Sequence, residues 1–317
     1  MKIIDAHMHA GLAGFDGPAL VRAMEEKGIE RTWLLTWEEL DPPVPSLHMD
    51  LLPEPVLEIC SNFPGRFVPF YAPDPSREGL RQRFEQFREL GIKGCGELKI
   101  SREWSDPVLT GYLDLVREFG WPLIFHMENP RMHYIQEREG RADWLLERLM
   151  NDKFNGVSRY YLNRISRRTG FLKNKITRNL VRFPGILYDL EGLEQRLQQY
   201  PEIRFIGHGP DFWSRISRDP DPRYIHPRGR IRAFGVIDRL LEQYDNLFCD
   251  ISGHSGFNAL KRDEEKAKIF LQKHASKVLY GTDNTRLPLM GLLWSFRLGE
   301  ESMARILHRN AERVLGE

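Results

Sequence analysis

Two of the ten histidines in this 317-residue chain, His7 and His9, stand one residue apart at the end of its first apolar run, IIDAHMHAG. In a strand, residues i and i+2 project from the same face. The two imidazoles would then point together, a spacing suited to a metal ion, for which histidine is the commonest ligand. The pair fits equally well with one buried and one exposed histidine that bind nothing, so the rest of the chain must decide. Other apolar runs finish in the same kind of residue: Glu97, with Lys99 two residues on, in GCGELKI; His126 in PLIFHM; His208 in IRFIGH; and Asp283 in YGTDN. Each has an ordinary reading of its own. His126 would serve as a hydrogen-bonded core histidine, and Asp283 as a helix cap or turn residue. For the set to be accidental, all the ordinary readings would have to hold at once.

The elements that must position these groups alternate along the chain. Eight strand-like runs are read at 2–7, 31–36, 66–72, 91–98, 122–127, 203–208, 246–251 and 277–282. Amphipathic stretches lie between them. PALVRAMEEKG, GLRQRFEQFRELG and VLTGYLDLVREFG end in Gly28, Gly91 and Gly120, residues suited to cap a helix C-terminus. IDRLLEQY precedes the seventh run, and EESMARILHRNAERVL closes the chain as a helix. Alternation predicts a parallel sheet, and the count of eight predicts a (β/α)8 TIM barrel occupying 1–317 as a single domain. The competing architecture is an open, doubly wound sheet. No GxGxxG opens the first helix, which counts against a nucleotide-binding version of it. Barrel active sites lie at the C-terminal ends of the strands, where the histidines and carboxylates fall.

One region breaks the rhythm. Roughly seventy-five residues separate the fifth and sixth runs, far more than an ordinary connection needs, so residues 131–188 are read as a long, basic, mostly helical insertion. Within 151–183 nine basic residues, among them Arg164, Arg167 and Arg168, face Asp152 as the sole acid. The expectation is a set of helices over the barrel mouth; a solvated excursion or a contact between copies in a homo-oligomer is the alternative.

Bulk composition bounds the rest. Lys plus Arg number 46 and Asp plus Glu 45, a formal charge of +1, which disfavours nucleic acid as a partner. No stretch reaches the ~18 apolar residues of a membrane span, and no basic n-region followed by an apolar h-region is present, so no signal peptide is expected. The three cysteines are scattered and form no CxxC site, as expected for a reducing cytoplasm.

Taken in order, IDAHMH, GELK, IFHMEN, IGHGP and YGTDN resemble the amidohydrolase superfamily, and most nearly its broad "amidohydrolase 2" group of metal-dependent hydrolases. The resemblance extends to the closing ILHRNAERVLG, but the basic insertion is not a general feature of the group. It implies a barrel with one or two divalent ions, zinc best suited to the mixed N/O donors and manganese or iron next. It further implies that His7, His9 and Asp283 hold the more buried ion and that His126 and His208 hold a second. Glu97 falls where the family places a bridging carboxylate or a carboxylated lysine. The bridge is then Glu97, or a carboxylated Lys99, or neither, in which case Lys99 would orient an anionic group.

The implied chemistry is hydrolysis by a metal-activated water. A divalent ion brings the pKa of its water to about 7 and polarises the substrate's oxygen. Asp283 would carry the proton from nucleophile to leaving group, and His208 would act as base or electrophile if one metal binds. The loop GHGPDFWSRISRDPDPRYIHPRGR offers Trp213, Arg215, Arg223, His226 and Arg228; DISGHSGFNALKRD offers Ser252, His254, Ser255 and Asn258. These suggest a small anionic or sugar-like substrate with an ester, lactone or amide bond. Helix initiation is the competing reading of Ser255, and a structural or exposed position that of His48. Two alternatives remain: a phosphodiesterase or nuclease of the TatD-like kind, which also places Glu at the fourth strand, and a non-hydrolytic decarboxylase that needs one metal.

Overall fold

A computed structural model describes residues 1–11, 14–38, 51–134, 164, 179–221 and 224–317. Its parallel strands are β1 (Ile4–Met8), β2 (Arg31–Leu34), β3 (Phe67–Pro69), β4 (Cys95–Leu98), β5 (Leu123–His126), β8 (Phe205–His208), β9 (Leu247–Asp250) and β10 (Val278–Leu279). Each of the eight sequence-predicted runs overlaps one of them. β6 (Arg131–Tyr134) and β7 (Leu180–Phe183) form a separate antiparallel pair. The helices are α1 (Gly17–Glu26), α2 (Pro53–Asn62), α3 (Leu80–Glu89), α4 (Val108–Phe119), α5 (Leu190–Gln199), α6 (Pro210–Ser214), α7 (Val236–Gln243), α8 (Gly253–Lys261), α9 (Glu264–Lys273), α10 (Leu289–Ser295), α11 (Glu300–Ala304) and α12 (Asn310–Leu315). None among the described residues is long and apolar enough to cross a membrane.

The ladder is not continuous. β1-β2-β3 form one sheet and β10-β9-β8-β5-β4 another. β3 ends at Pro69, which has no N–H to extend a ladder, yet its carbonyl accepts from Lys93, and Tyr71 N–H donates to Gly94, both at 3.0 Å. At the other seam Ala6 N–H donates to Tyr280 at 2.8 Å and Asp283 N–H to His7 at 2.7 Å. The two sheets are thus joined at both seams by isolated backbone bonds.

Ile4, Ala6, Trp33, Leu35, Val68, Phe70, Ile124, Ile206, Phe248 and Leu279 share one buried cluster with Ala311 and Val314 of α12. A second, larger cluster joins the outward strand faces to the helices. Strand alternation then carries the inner face upward. Two residues beyond Ile124, Ile206 and Phe248 come His126, His208 and Asp250. β1 departs from strict alternation. Ile4 and Ala6 lie in the inner cluster, Met8 and Ala10 in the outer one, and the register shifts between Asp5 and Met8. Asp5 is fully buried there, accepting from His7 N–H at 3.0 Å and from Thr282 Oγ1 at 2.6 Å. This irregularity turns His7 and His9 inward together.

Two expectations need correction. The ends of the 131–188 insertion are not helical: Arg131 pairs with Phe183 and Tyr134 with Leu180, with Glu128 bridging Ile186 below them. Apart from Arg164, the middle of that insertion, with Arg167 and Arg168, lies outside the described residues. The closing helix is not uniform either. A π-helical turn at Arg305–Arg309 interrupts it, and the Ile306 carbonyl accepts from Tyr280 N–H of the barrel at 2.9 Å. A carbonyl that accepts from a sheet N–H is drawn away from the helical ladder.

Candidate metal centre

At the upper end of β1 the Nε2 atoms of His7 and His9 stand 3.2 Å apart. Glu97 Oε2 is 3.6 Å from His7 Nε2 and 3.4 Å from His9 Nε2. Asp283 Oδ1 is 3.9 and 3.4 Å from the same two nitrogens. Donors bound to one zinc at 2.0–2.1 Å in a tetrahedron would lie about 3.3 Å from each other, so the His7, His9 and Glu97 atoms are spaced close to a first coordination sphere, while Asp283 groups with His7 and His208. Glu97 Oε2 is buried and takes the Lys99 ammonium at 2.7 Å. With the two imidazole nitrogens also within 3.6 Å of it, three donor atoms converge on one buried point. This mixed N/O set fits a divalent ion.

A looser group lies on the other side of the same carboxylate, made by Glu97, His126 and His208. His126 is engaged through both nitrogens, Nδ1 to Glu97 Oε1 at 2.8 Å and Nε2 to Glu128 Oε2 at 3.3 Å. His208 Nε2 faces Glu97 Oε1 at 3.9 Å and Asp283 Oδ2 at 4.0 Å. Asp283 reaches solvent on one side and sits at φ +52, with Asn284 next at φ +53. Non-glycine residues rarely adopt this region, and there strain accompanies function. Asn284 supports the turn by accepting from His9 N–H and donating to His9 carbonyl, both at 2.7 Å. Gly253, at φ +65, leaves the space a side chain would fill, because a Cβ there would lie 2.6 Å from Asp283 Oδ2.

Charges oppose burial throughout. Burial pulls the His7 pKa down, but Asp250 and Glu97 more than offset it and leave it well above the ordinary value. His9, where burial wins, is lowered. Burial would raise Glu97, yet the Lys99 and His7 charges hold it well below the usual carboxylate range. Opposite signs on adjacent imidazoles mean that His9 offers its lone pair readily, while His7 exchanges a proton for a cation.

The six sequence-predicted metal ligands (His7, His9, Glu97, His126, His208, Asp283) thus converge. Lys99 lies beside them with its Nζ 3.7 Å from the centre of the Trp37 ring. Of the other substrate candidates, Ser252 also reaches the site, its Oγ 3.1 Å from His208 Nδ1; Trp213, Arg215, His254, Ser255 and Asn258 do not. Trp213 is buried, and its indole N–H donates to the Asp250 carbonyl at 3.0 Å. Arg215 pairs with Asp211 at 3.5 Å. His254 is exposed, its ring 6.5 Å from that of His226, and Ser255 is buried in the first turn of α8. Asn258 donates to the Pro227 carbonyl at 3.0 Å. Arg223 and His48 lie outside the described residues. Sequence reading missed Asp250, which is fully buried between His7 Nδ1 and His208 Nδ1 at 3.0 Å from each. The missed signal was its step of two from the inward-facing Phe248 in NLFCDI, the same step that marks His126 and His208.

No family model and no curated protein sequence matches the chain. Solved structures do match its fold along its whole length. An uncharacterised TIM-barrel protein of Bordetella bronchiseptica is similar at a TM-score of 0.58 and 15% identity, over 100% of this chain and 99% of that one. 5-Carboxyvanillate decarboxylase of Sphingomonas paucimobilis is similar at 0.54 and 12%, over 99% of each. A probable 2-pyrone-4,6-dicarboxylic acid hydrolase of Acinetobacter baumannii, with citric acid bound, is similar at 0.53 and 12%, over 100% of each.

Proposed function

We propose that this chain is a metal-dependent enzyme that hydrolyses a small, polar, anionic ester, lactone or amide, in keeping with the resemblance of its motifs to the amidohydrolase superfamily. The observation that carries the metal reading is the convergence of His7 Nε2, His9 Nε2 and Glu97 Oε2, which lie 3.2, 3.4 and 3.6 Å from one another in a buried site. His7, His9, Glu97 and Asp283 would hold one divalent ion, zinc by the character of its donors. When bound, that ion supplies Lewis acidity toward water and a substrate oxygen.

The chain's own groups supply the rest. Asp283 Oδ2 and His208 Nε2 face each other across 4.0 Å on the open side of the ligands. A proton lost by the attacking water passes to one of them and returns to the leaving oxygen or nitrogen from the same side. Lys99 lies on Trp37 and against Glu97, where its ammonium orients an anionic group of the substrate. The hydrolase among the structural neighbours is named for a dicarboxylic acid, which supports an anionic substrate.

A second reading, decarboxylation, has one observation in its favour. His126 is held through both nitrogens by Glu97 and Glu128, so the second group of donors is already engaged, and a decarboxylase needs a single ion. A neighbour of the same fold is named for this reaction.

The test pairs metal analysis of the purified protein with a panel of lactones, esters, amides and carboxylated aromatics. Turnover that is lost on chelation, restored by zinc and accompanied by released acid is the expected result. Carbon dioxide release in place of hydrolysis moves the assignment to the decarboxylase reading. Full turnover in metal-free protein refutes the metal reading.

A further inference from the structure

Asp250 is fully buried at the end of β9, and its two oxygens serve different imidazoles. Oδ2 faces His7 Nδ1 at 3.0 Å and Oδ1 faces His208 Nδ1 at 3.0 Å. Oδ1 also accepts from Ser252 N–H at 3.0 Å and from the Ser252 hydroxyl. Trp213 fixes the backbone of the same residue through its carbonyl. Every donor packed against the carboxylate therefore has a partner. A carboxylate accepts and never donates, so His7 must carry its ring proton on Nδ1 whenever it is neutral. His208 Nδ1 also lies 3.1 Å from Ser252 Oγ; with that hydroxyl donating to Asp250 Oδ1, His208 carries its proton on Nδ1 as well.

We propose that Asp250 is a positioning residue that sets the tautomers of His7 and His208 together, presenting both Nε2 lone pairs to the site from one buried carboxylate. The inference rests on the metal reading of that site. His7 Nε2 is one of the cation donors, whereas His208 Nε2 faces Asp283 and Glu97 on the open side. One side chain thus orients a ligand and a proton-handling group that lie 201 positions apart in sequence. A partner to the distal ring nitrogen of a ligating histidine is the usual way its lone pair is aimed. The unusual element here is that the partner is shared.

The sharing predicts an asymmetric response to Asp250→Asn. The Ser252 N–H needs an acceptor at the Oδ1 position, so the amide oxygen stays on the His208 side. The NH2 must then face His7 Nδ1, which becomes an acceptor. His7 is driven to the Nε2–H tautomer and loses the lone pair it offers to the cation, while His208 keeps its own.

The experiment combines zinc titration against a chromogenic chelator with 15N-histidine NMR of the full-length chain. In wild-type protein, both with zinc and in zinc-free protein above the imidazole titration range, His7 and His208 should each show a protonated Nδ1. In Asp250→Asn, zinc affinity should fall by about 10- to 100-fold, and the His7 signal alone should move to the other tautomer. Wild-type spectra with either histidine protonated at Nε2 overturn the proposal, and need no variant that folds. An Asp250→Asn protein that binds zinc within twofold of wild type, with His7 unchanged, also overturns it. Wild-type protein that binds no zinc removes the metal reading instead, and the zinc-free spectra then decide the tautomer assignment by themselves.

Discussion

Replacing Glu97 with Gln removes one charge from the most crowded point of the site and keeps the shape. Two costs follow. Glu97 and Lys99 form a buried pair at 2.7 Å, with the two side chains 1% and 11% exposed. Breaking such a pair from one side costs about 3–5 kcal/mol, because the remaining charge stays buried without its partner. Unfolding entropy for a chain of this length is about 0.7 kcal/mol per kelvin, so Tm should fall by about 4–8 °C. The second cost falls on the cation. Two unit charges 4 Å apart interact by about 4 kcal/mol at an effective dielectric of 20. Removing the anion next to His7 and His9 forfeits at least one such interaction and leaves the Lys99 ammonium repelling the ion. Zinc affinity should drop by about a thousandfold or more, at about 1.4 kcal/mol per decade. Calorimetric unfolding of the zinc-free protein reads the first cost, and chelator competition reads the second. The double variant Glu97→Gln with Lys99→Met separates them, since it should recover most of the lost Tm and only part of the zinc affinity. A single Glu97→Gln variant with zinc affinity within threefold of wild type and an unchanged Tm would refute both halves of the reasoning.

His7→Ala, His9→Ala and Asp283→Asn should each lower bound zinc and remove turnover, because each deletes a donor that no neighbour replaces; metal analysis beside activity checks this. Gly253→Ala puts a side chain at φ +65 and should displace Asp283, whose Oδ2 would lie 2.6 Å from the new methyl carbon; misplacement on this scale is expected to reduce kcat by about a hundredfold and to lower bound zinc, with circular dichroism as the control for the fold. Asn284→Ala removes two 2.7 Å bonds to the His9 backbone and should destabilise the protein by about 1–3 kcal/mol, measured by denaturant unfolding with and without zinc.

Much of this was legible in one dimension. A strand repeats every two residues, so His7 and His9 were bound to share a face, and a barrel places its chemistry at strand ends, where Glu97, His126, His208 and Asp283 all fall. Eight runs spaced by amphipathic helices sufficed to expect the barrel, because burial of alternate faces imposes its own period on the sequence. Tertiary structure decided what depends on distance across the barrel. Asp250 is 243 positions from His7, and no local pattern says that its carboxylate meets that imidazole and His208 at once. Nor does spacing divide the two oxygens of Glu97, one toward the β1 histidines and Lys99, the other toward His126. The irregularity in β1 that turns His7 inward after Ala6 begins at Asp5, whose carboxylate accepts from Thr282 near the far end of the chain. Trp213 shows the reverse case: its loop position suggested a substrate contact, but the fold buries it behind Asp250, where its indole N–H donates to that carbonyl. Residue types and their period are written along the chain, whereas which polar atom answers which depends on closing the sheet, and closure brings together groups that sequence keeps hundreds of residues apart.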